Sequence, residues 1–525
     1  MNKNLFRLQV LMSLAALGTI AYGAFFLLPC SNSFTPSSTP YLSEMSSNFV
    51  VWMLICAVLV LFMQAGFLLL EAGTVRSKNS INVAQKNAAD FVVCGVIFFL
   101  VGFRIAFGSG ENPFFGFGEI DPLKGNASAL VVMIYQFGFC ATAATIISGA
   151  VAERMKFGAY LLLAAFTAGI VYPLFAHIVW GNAIFPGNPA YLADKGFIDF
   201  AGSTVVHGTA AWVALAAIMI LGPRKGRFDE NGNPKPIHGS SSVLAFLGTI
   251  ILFIGWIGFN AGAIQPEAPE LPQVIANTII AACFGATTGM ILGYVRDGGI
   301  FAPSATINGL LGGLVAVTAG VAVVSVSGAA LIGMAGGVVA LIMSYVISHH
   351  FKLDDPVDVI AVHGFSGVAG TLLIAVFGAE SSMANGSRWD QLLLQAEGVG
   401  LNFVWSFLTA YVFLRLLNLA SPIRINESDE LTGLNSAEHG VSLGIDNLRY
   451  AIEAASGDPR SIKDEAILKD FRLDIDEGSE SAEIGNAFNA ILDKHSETIE
   501  KLEYYGKEAD TANRAKSEFL ANMSH

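Results

Sequence analysis

Two stretches decide how this chain folds: Asp199-Phe-Ala-Gly-Ser-Thr-Val-Val-His207-Gly208 and Asp355-Pro-Val-Asp358-Val-Ile-Ala-Val-His363-Gly364. In each, an aspartate stands eight residues ahead of the histidine of a Val-His-Gly, and an apolar run follows. A histidine inside a membrane-length apolar run is expensive, and it marks a functional site. Two of them in matching contexts, one per half of the chain, point to an inverted repeat with its site where the halves meet. Two unrelated core histidines, each satisfied by a backbone carbonyl, would share the residue but not the motif around it.

The rest of the composition agrees with a membrane setting. Of 525 residues, 53% are hydrophobic, only 14% are charged, and 55 are glycine, whereas soluble domains carry about 25% charged residues. The chain is a polytopic membrane protein surrounded by lipid. Its net charge of −13 reflects an acidic excess after about residue 425, and no basic patch with interleaved aromatics offers a nucleic-acid surface. Four of the five cysteines (Cys30, Cys56, Cys94, Cys140 and Cys283) lie in apolar runs, with no CxxC and no Cys/His cluster. They read as small core residues, and no metal site is expected.

Residues 1–30 carry Lys3 and Arg7 ahead of an apolar run from Leu8 to Leu28. This resembles a secretory signal peptide, with an additional span as the competing reading; residues 1–40 are assigned to the signal and an exposed N-terminus. Eleven apolar segments of spanning length are predicted at 48–70, 88–107, 128–151, 158–181, 202–222, 241–262, 273–295, 301–323, 328–348, 358–378 and 392–419. Loops on one side hold eleven cations, among them Arg76, Arg154, Arg224 and Arg227; the other side holds only Arg104, Lys124, Lys195 and Arg388. That bias places the first span's start outside and the last span's end in the cytoplasm, as expected of a plasma (inner) membrane protein. Glycines such as Gly312, Gly313, Gly336 and Gly337 let helices approach closely and need no other role.

Further motifs fall in order: Glu71-Ala-Gly-Thr-Val-Arg-Ser-Lys-Asn79, Gly149-Ala-Val-Ala-Glu-Arg154, Ala176-His-Ile-Val-Trp180-Gly and Gly255-Trp-Ile-Gly-Phe259-Asn260-Ala-Gly262. With the twin-histidine stretches, residues from about 48 to 440 resemble the ammonium transporter, methylammonium permease and Rhesus family. The resemblance implies an all-α integral membrane fold of eleven spans, an inverted repeat of five spans plus a final long helix, assembled as a homotrimer with one pore per subunit. It implies a vestibule in which Trp180 and Phe139 receive ammonium, a phenyl gate of Phe139 and Phe259, and a lumen lined by His207 and His363, whose remaining nitrogens can meet ammonia or pass a proton.

The physical logic is consistent. A cation over an aromatic face gains about 0.5–2 kcal/mol. Two adjacent imidazoles cannot both hold a proton on facing nitrogens, but a neutral pair can share one hydrogen bond. Asp199 is expected to satisfy backbone amides near a span's start and to add negative potential below the vestibule, more than to bind the cation directly; Asp355 and Asp358 read as helix-start residues of the same kind. One departure stands out. Where the family often has a hydroxyl after Asn-Ala-Gly, this chain has Ala263, so one acceptor for ammonium is missing.

The membrane domain is assigned to residues 41–424 and a family-type tail to 425–445, the latter on Gly433-Leu-Asn-Ser-Ala-Glu-His439-Gly440. Residues 446–495 contain Ala482-Glu-Ile-Gly-Asn-Ala-Phe-Asn489, which resembles a HAMP signalling module. From Ile484 a seven-residue register runs through Phe488, Ile491, Leu502, Tyr505, Phe519 and Met523, the pattern of a coiled coil, with a solvated amphipathic helix as the alternative. Residues 496–525 end in Lys516-Ser-Glu-Phe-Leu-Ala-Asn-Met-Ser-His525, which resembles the H-box of sensor histidine kinases. Its phosphoacceptor would be His525, and the sequence reads as a fragment whose ATP-binding half is missing. No cofactor is expected in the chain itself; ATP would serve the missing kinase domain, and a response regulator would be the downstream partner. The leading expectation is an ammonium sensor, the alternative an ammonium channel with a regulatory tail, and a more remote option a gas channel for another small neutral molecule.

Overall fold

The computed structural model describes residues 45–118, 127–184, 187–441 and 482–523, and among these there is no β-strand. Eleven apolar helices follow one another: α1 (Ser47–Thr74), α2 (Ser77–Phe107), α3 (Ala127–Ala150), α4 (Phe157–Trp180), α5 (Ser203–Leu221), α6 (Ser242–Ala261), α7 (Leu271–Arg296), α8 (Pro303–Thr318), α9 (Val326–His349), α10 (Ile360–Phe377) and α11 (Arg388–Ala420). Ten are long and apolar enough to cross a membrane, and α8, with 16 residues, is the shorter eleventh. Serine side chains cap several starts, the hydroxyls of Ser46, Ser241, Ser325 and Ser387 accepting from the amides of Phe49, Leu244, Gly328 and Asp390.

Helix α2 begins well before the expected residue 88. The polar residues that broke its apolar pattern are buried and satisfied internally: Asn87 Nδ2 donates to Glu71 Oε2 at 3.0 Å, Thr145 Oγ1 donates to Asn87 Oδ1 at 2.6 Å, Lys86 Nζ donates to Met155 O at 3.0 Å, and the Tyr160 hydroxyl donates to Asp90. Helices α7 and α8 touch backbone to backbone. A Cβ added at Gly285 would lie 2.4 Å from Gly309 O, and one at Gly309 would lie 2.5 Å from Gly285 O. Cys56, Cys94 and Cys140 are core residues, whereas Cys283 lies exposed on the surface of α7.

The repeat is visible in bonds as well as letters. Both α5 and α10 open with a π-helical turn, Ser203–Gly208 and Ile360–Phe365, and each turn carries one of the twin histidines. Asp199 accepts from the amides of Gly202, Thr204 and Val205 at 2.9, 2.9 and 2.8 Å. Asp355 accepts from Ile360 N at 2.8 Å, the amide five residues on, as Thr204 is from Asp199. Asp358 departs from its expected helix-start role. Its φ of +56° turns it away from the amides of α10, and its carboxylate accepts instead from Asn308 Nδ2 of α8 and Ser344 Oγ of α9, each at 2.7 Å.

After α11 come two short helices, α12 (Glu427–Thr432) and α13 (Leu434–His439), joined at Gly433, whose φ of +114° suits glycine alone. They belong to the same compact unit as the spans, which ends at His439. In the second unit the described part is one helix, α14 (Ala482–Met523), of 42 residues. Its side chains Ile491, Leu502, Tyr505, Phe519 and Met523 are exposed. The proposed signal peptide, residues 446–481 of the HAMP-like stretch, and His525 lie outside the described residues.

Candidate functional site

Helices α3, α4 and α6 bring their aromatic residues together at one mouth. The Phe139 and Phe259 rings stack with centroids 4.0 Å apart and planes 18° apart, and the Trp180 ring meets Phe139 edge-on at 6.0 Å. Trp180 is half-buried, and its indole Nε1 donates to Asp199 O at 2.8 Å, which ties the last turn of α4 to the approach to α5. Tyr135, one turn before Phe139 on α3, fixes the stacked rings from behind: its hydroxyl donates to Phe259 O at 2.7 Å and its ring packs edge-on against Phe139 at 4.9 Å. Ala263, just past the end of α6, is exposed and offers no side-chain acceptor.

Behind the stacked phenyls, His207 Nδ1 lies 3.1 Å from His363 Nδ1, with the rings 5.2 Å apart and nearly parallel at 18°. At that distance one nitrogen donates and the other accepts, so the facing atoms share a single proton. His207 also stacks on Trp256 at 4.9 Å and 12°, and Trp256 is held by its own bond to Thr318 Oγ1 at 2.8 Å. His207 Nε2 is buried with no protein partner. A buried polar atom left this way is uncommon and calls for a small partner. Both rings are walled by apolar and aromatic groups, Phe259 beside His207 and Phe67 beside His363.

Asp199 is buried, and burial pushes its carboxyl up to about 6 although the amides of Val205, Thr204 and Gly202 favour the ionised form. Its oxygens are committed to the start of α5, so its geometric work is to hold the π-turn bearing His207.

Sequence reasoning did not single out Tyr135, Trp256 or Thr318. Trp256 was legible in hindsight, since it precedes Phe259 by three residues and shares its helix face.

At the opposite end of the spans lies a buried ion network. Glu153 has a φ of +69° and accepts from Arg76 Nε at 2.5 Å, Arg224 Nη1 at 2.8 Å and Asn79 Nδ2 at 2.8 Å. Arg224 also donates to Asp354 from Nε at 2.8 Å and Nη2 at 3.0 Å. Burial alone would raise both carboxyls, but Arg224 and Arg76 hold Glu153, and Arg224 and Arg154 hold Asp354, below the usual carboxylate range. The sequence reading counted Arg76, Arg154 and Arg224 as loop cations; their partners are distant in sequence, so the pairing was not visible there.

The tail docks on this end. Lys78 Nζ donates to Glu430 O at 3.0 Å, Asn82 N to Asn435 Oδ1 at 3.0 Å, Phe157 N to Glu438 Oε2 at 2.9 Å, and Lys225 N to Glu430 Oε1 at 2.7 Å.

Eleven apolar helices in an inverted repeat, with a histidine pair behind stacked phenyl rings, define a membrane protein built to handle a small solute. The family model described as Ammonium Transporter Family matches residues 51–442, and the chain belongs to that family. A Synechocystis sp. relative, provisionally named an ammonium transporter, is 39% identical over 491 residues, covering 91% of this chain and 89% of the relative. Ammonium transporter Amt2 of Archaeoglobus fulgidus is 38% identical over 414 residues, covering 74% and 87%. A solved structure described as Sensor Amt Protein superposes with a TM-score of 0.72 at 37% identity, covering 76% of this chain and 99% of that one.

Proposed function

We propose that the protein receives ammonium against Trp180 and Phe139, leaves its proton to the water of the mouth, and passes the nitrogen, as ammonia, through the Phe139–Phe259 gate to the His207–His363 pair. The observation that carries this reading is the unpartnered, buried His207 Nε2 beside a shared Nδ1–Nδ1 bond. Such a pair can accept from or donate to a small nitrogen hydride while its facing atoms keep a single proton. The aromatic mouth adds the selectivity, because its rings attract a cation face-on. In this reading the protein is a plasma-membrane homotrimer, with Trp180 on the outer side and the tail in the cytoplasm. Proteoliposomes carrying a trapped pH dye test it: an inward ammonium gradient should give a protein-dependent pH change that His207→Ala alters strongly. Wild-type liposomes that respond like empty ones would overturn the reading.

A second reading, ammonium sensing, is favoured by the tail docked on the ends of α2 and α4 and by the structural neighbour described as a sensor. Here ammonium shifts the tail, and the output runs through α14 to His525 as phosphoacceptor, with an ATP-binding kinase domain and a response regulator as partners. Such a shift requires different ammonium affinities in the two tail arrangements. Phosphorylation at His525 should then change with ammonium, and a label that ignores ammonium would refute this branch while leaving the transport reading intact.

A further inference from the structure

The motif that supplies Trp180 contains a second residue the pore does not use. His177, three residues earlier on α4, is 1% exposed. It turns both ring nitrogens to backbone carbonyls of another segment: Nδ1 lies 2.9 Å from Ala106 O at the end of α2, and Nε2 lies 3.1 Å from Asn112 O in the loop that follows. A carbonyl oxygen can only accept, so each of these contacts that is a hydrogen bond must use a ring N–H. A neutral ring supplies one such donor, a doubly protonated ring two.

The surroundings leave this ring little freedom. A Cβ added at Gly181 would lie 2.7 Å from His177 Nδ1, so the turn after Trp180 closes directly over the imidazole. Asn188 adds a parallel clamp: its Nδ2 donates to Gly108 O at 3.0 Å and Gly181 O at 3.2 Å, and its Oδ1 accepts from Gly110 N at 3.2 Å. The indole of Trp180 is tied on its other side to Asp199 O. Trp180 therefore hangs between two anchors, one of which is the approach to α5 and the other the His177 bridge.

We propose that His177 is a positioning residue for ammonium recognition: it fastens the last turn of α4 to residues 106–112, so that the Trp180 indole keeps its edge-on place against Phe139. This rests on the reading of Trp180 as part of the ammonium mouth. The bridge acts on recognition more than on passage, because His177 touches neither the phenyl stack nor the histidine pair.

The test is methylammonium uptake by the full chain in proteoliposomes, comparing His177→Gln, which keeps one amide donor, with His177→Phe, which keeps a ring but no donor. The half-saturating concentration should rise about 5-fold for Phe, the usual net worth of one lost buried hydrogen bond, and less, about 2-fold, for Gln, which keeps a donor. The maximal rate should change less than the half-saturating concentration. If the ring merely fills space, the order reverses, with Phe milder than Gln; that order overturns the proposal. Neither variant should add to the effect of Trp180→Leu, since the bridge acts through that indole, and additive effects also overturn it. Should His177→Phe fail to fold, Gln alone carries the test, with a rise expected in the wild-type background and none in the Trp180→Leu background. A Trp180→Leu variant with unaltered half-saturation removes the mouth reading and this inference together. A Trp180 effect with silent His177 variants removes this inference only.

Discussion

Arg224→Met puts the ion network at the tail end of the spans to a quantitative test. Arg224 is 5% exposed and meets two fully buried carboxylates, Glu153 and Asp354, each at 2.8 Å. Removing one partner from a buried ion pair costs about 3–5 kcal/mol, because the remaining charge is stranded without water. Here each carboxylate keeps a second cation: Arg76 stays on Glu153, and Arg227 stays 3.3 Å from Asp354. That places the expected loss at the lower end, about 3 kcal/mol.

The pH dependence has a definite sign. Both carboxyls are held below their ordinary values, so their stabilisation is complete at neutral pH and is lost as pH falls from about 4 through their depressed folded values. The gap between wild type and variant should therefore be widest at pH 7 and narrow on acidification. Thermal unfolding in detergent at pH 7 and at pH 3 measures both points. Limited proteolysis should also cut the tail faster in the variant, because Lys225, next in sequence, donates its amide to Glu430 of α12. A loss below about 1 kcal/mol at pH 7, or a gap indifferent to pH, would refute the view that this network is a buried, mutually dependent unit.

Three other perturbations have defined outcomes. Burial and the neighbouring Asp358 push the Asp355 carboxyl up to about 7, so wild-type stability falls as pH rises from about 4 to that value; Asp355→Asn should gain on wild type across that window in thermal unfolding, and a constant difference would count against it. Replacing His207 and His363 singly and together by Ala should give a double variant far from the sum of the singles in ammonium flux, since the two share one bond, and additive effects would argue against coupling. Leu502→Cys, exposed on a single α14, should crosslink with a three-armed maleimide, covalent trimers indicating a three-stranded bundle and dimers alone pairing between trimers, while monomer alone would refute the coiled coil.

The sequence was most informative where the chain obeys the membrane. All eleven spans were legible because apolar length is what lipid demands, and the histidine pair was legible because polar residues in such runs are too costly to be incidental. It was least informative where polar groups are satisfied by distant partners. Lys86 and Asn87 interrupted the apolar pattern of α2 and so hid its first turns, yet each finds its partner on α3 or the turn after it. Glu153 and Asp354 stand some two hundred residues apart in sequence and meet on one guanidinium. Asp358 looked like a helix-start residue by spacing, but a left-handed backbone sent its carboxylate to α8 and α9. The roles of Trp256 and Tyr135 depend on ring-to-ring geometry that no spacing rule contains.

The repeat makes the histidine pair symmetric but leaves the two ends of the spans unequal. Near Trp180, Asp199 gives its carboxylate to three amides, and the neighbouring side chains are the aromatic rings of Phe139 and Phe259. At the other end, Asp355 holds one amide and leaves Oδ1 unpartnered, with Asp358, the arginine network and the tail close in sequence or space. One helix connects these ends. Helix α4 carries Trp180 at its last residue and Phe157 at its first, and Phe157 gives its amide to Glu438 while its ring meets His439 edge-on at 5.1 Å. A displacement of the indole along α4 therefore has a route to the tail contact without passing through the lumen, although the π-turn Thr167–Val171 interrupts the helix midway and can absorb part of it. Ammonium moves the tail by this route only if it binds one placement of α4 more tightly than the other. On the proposed readings, recognition at Trp180 and reporting at the tail make the same demand on a single 24-residue helix.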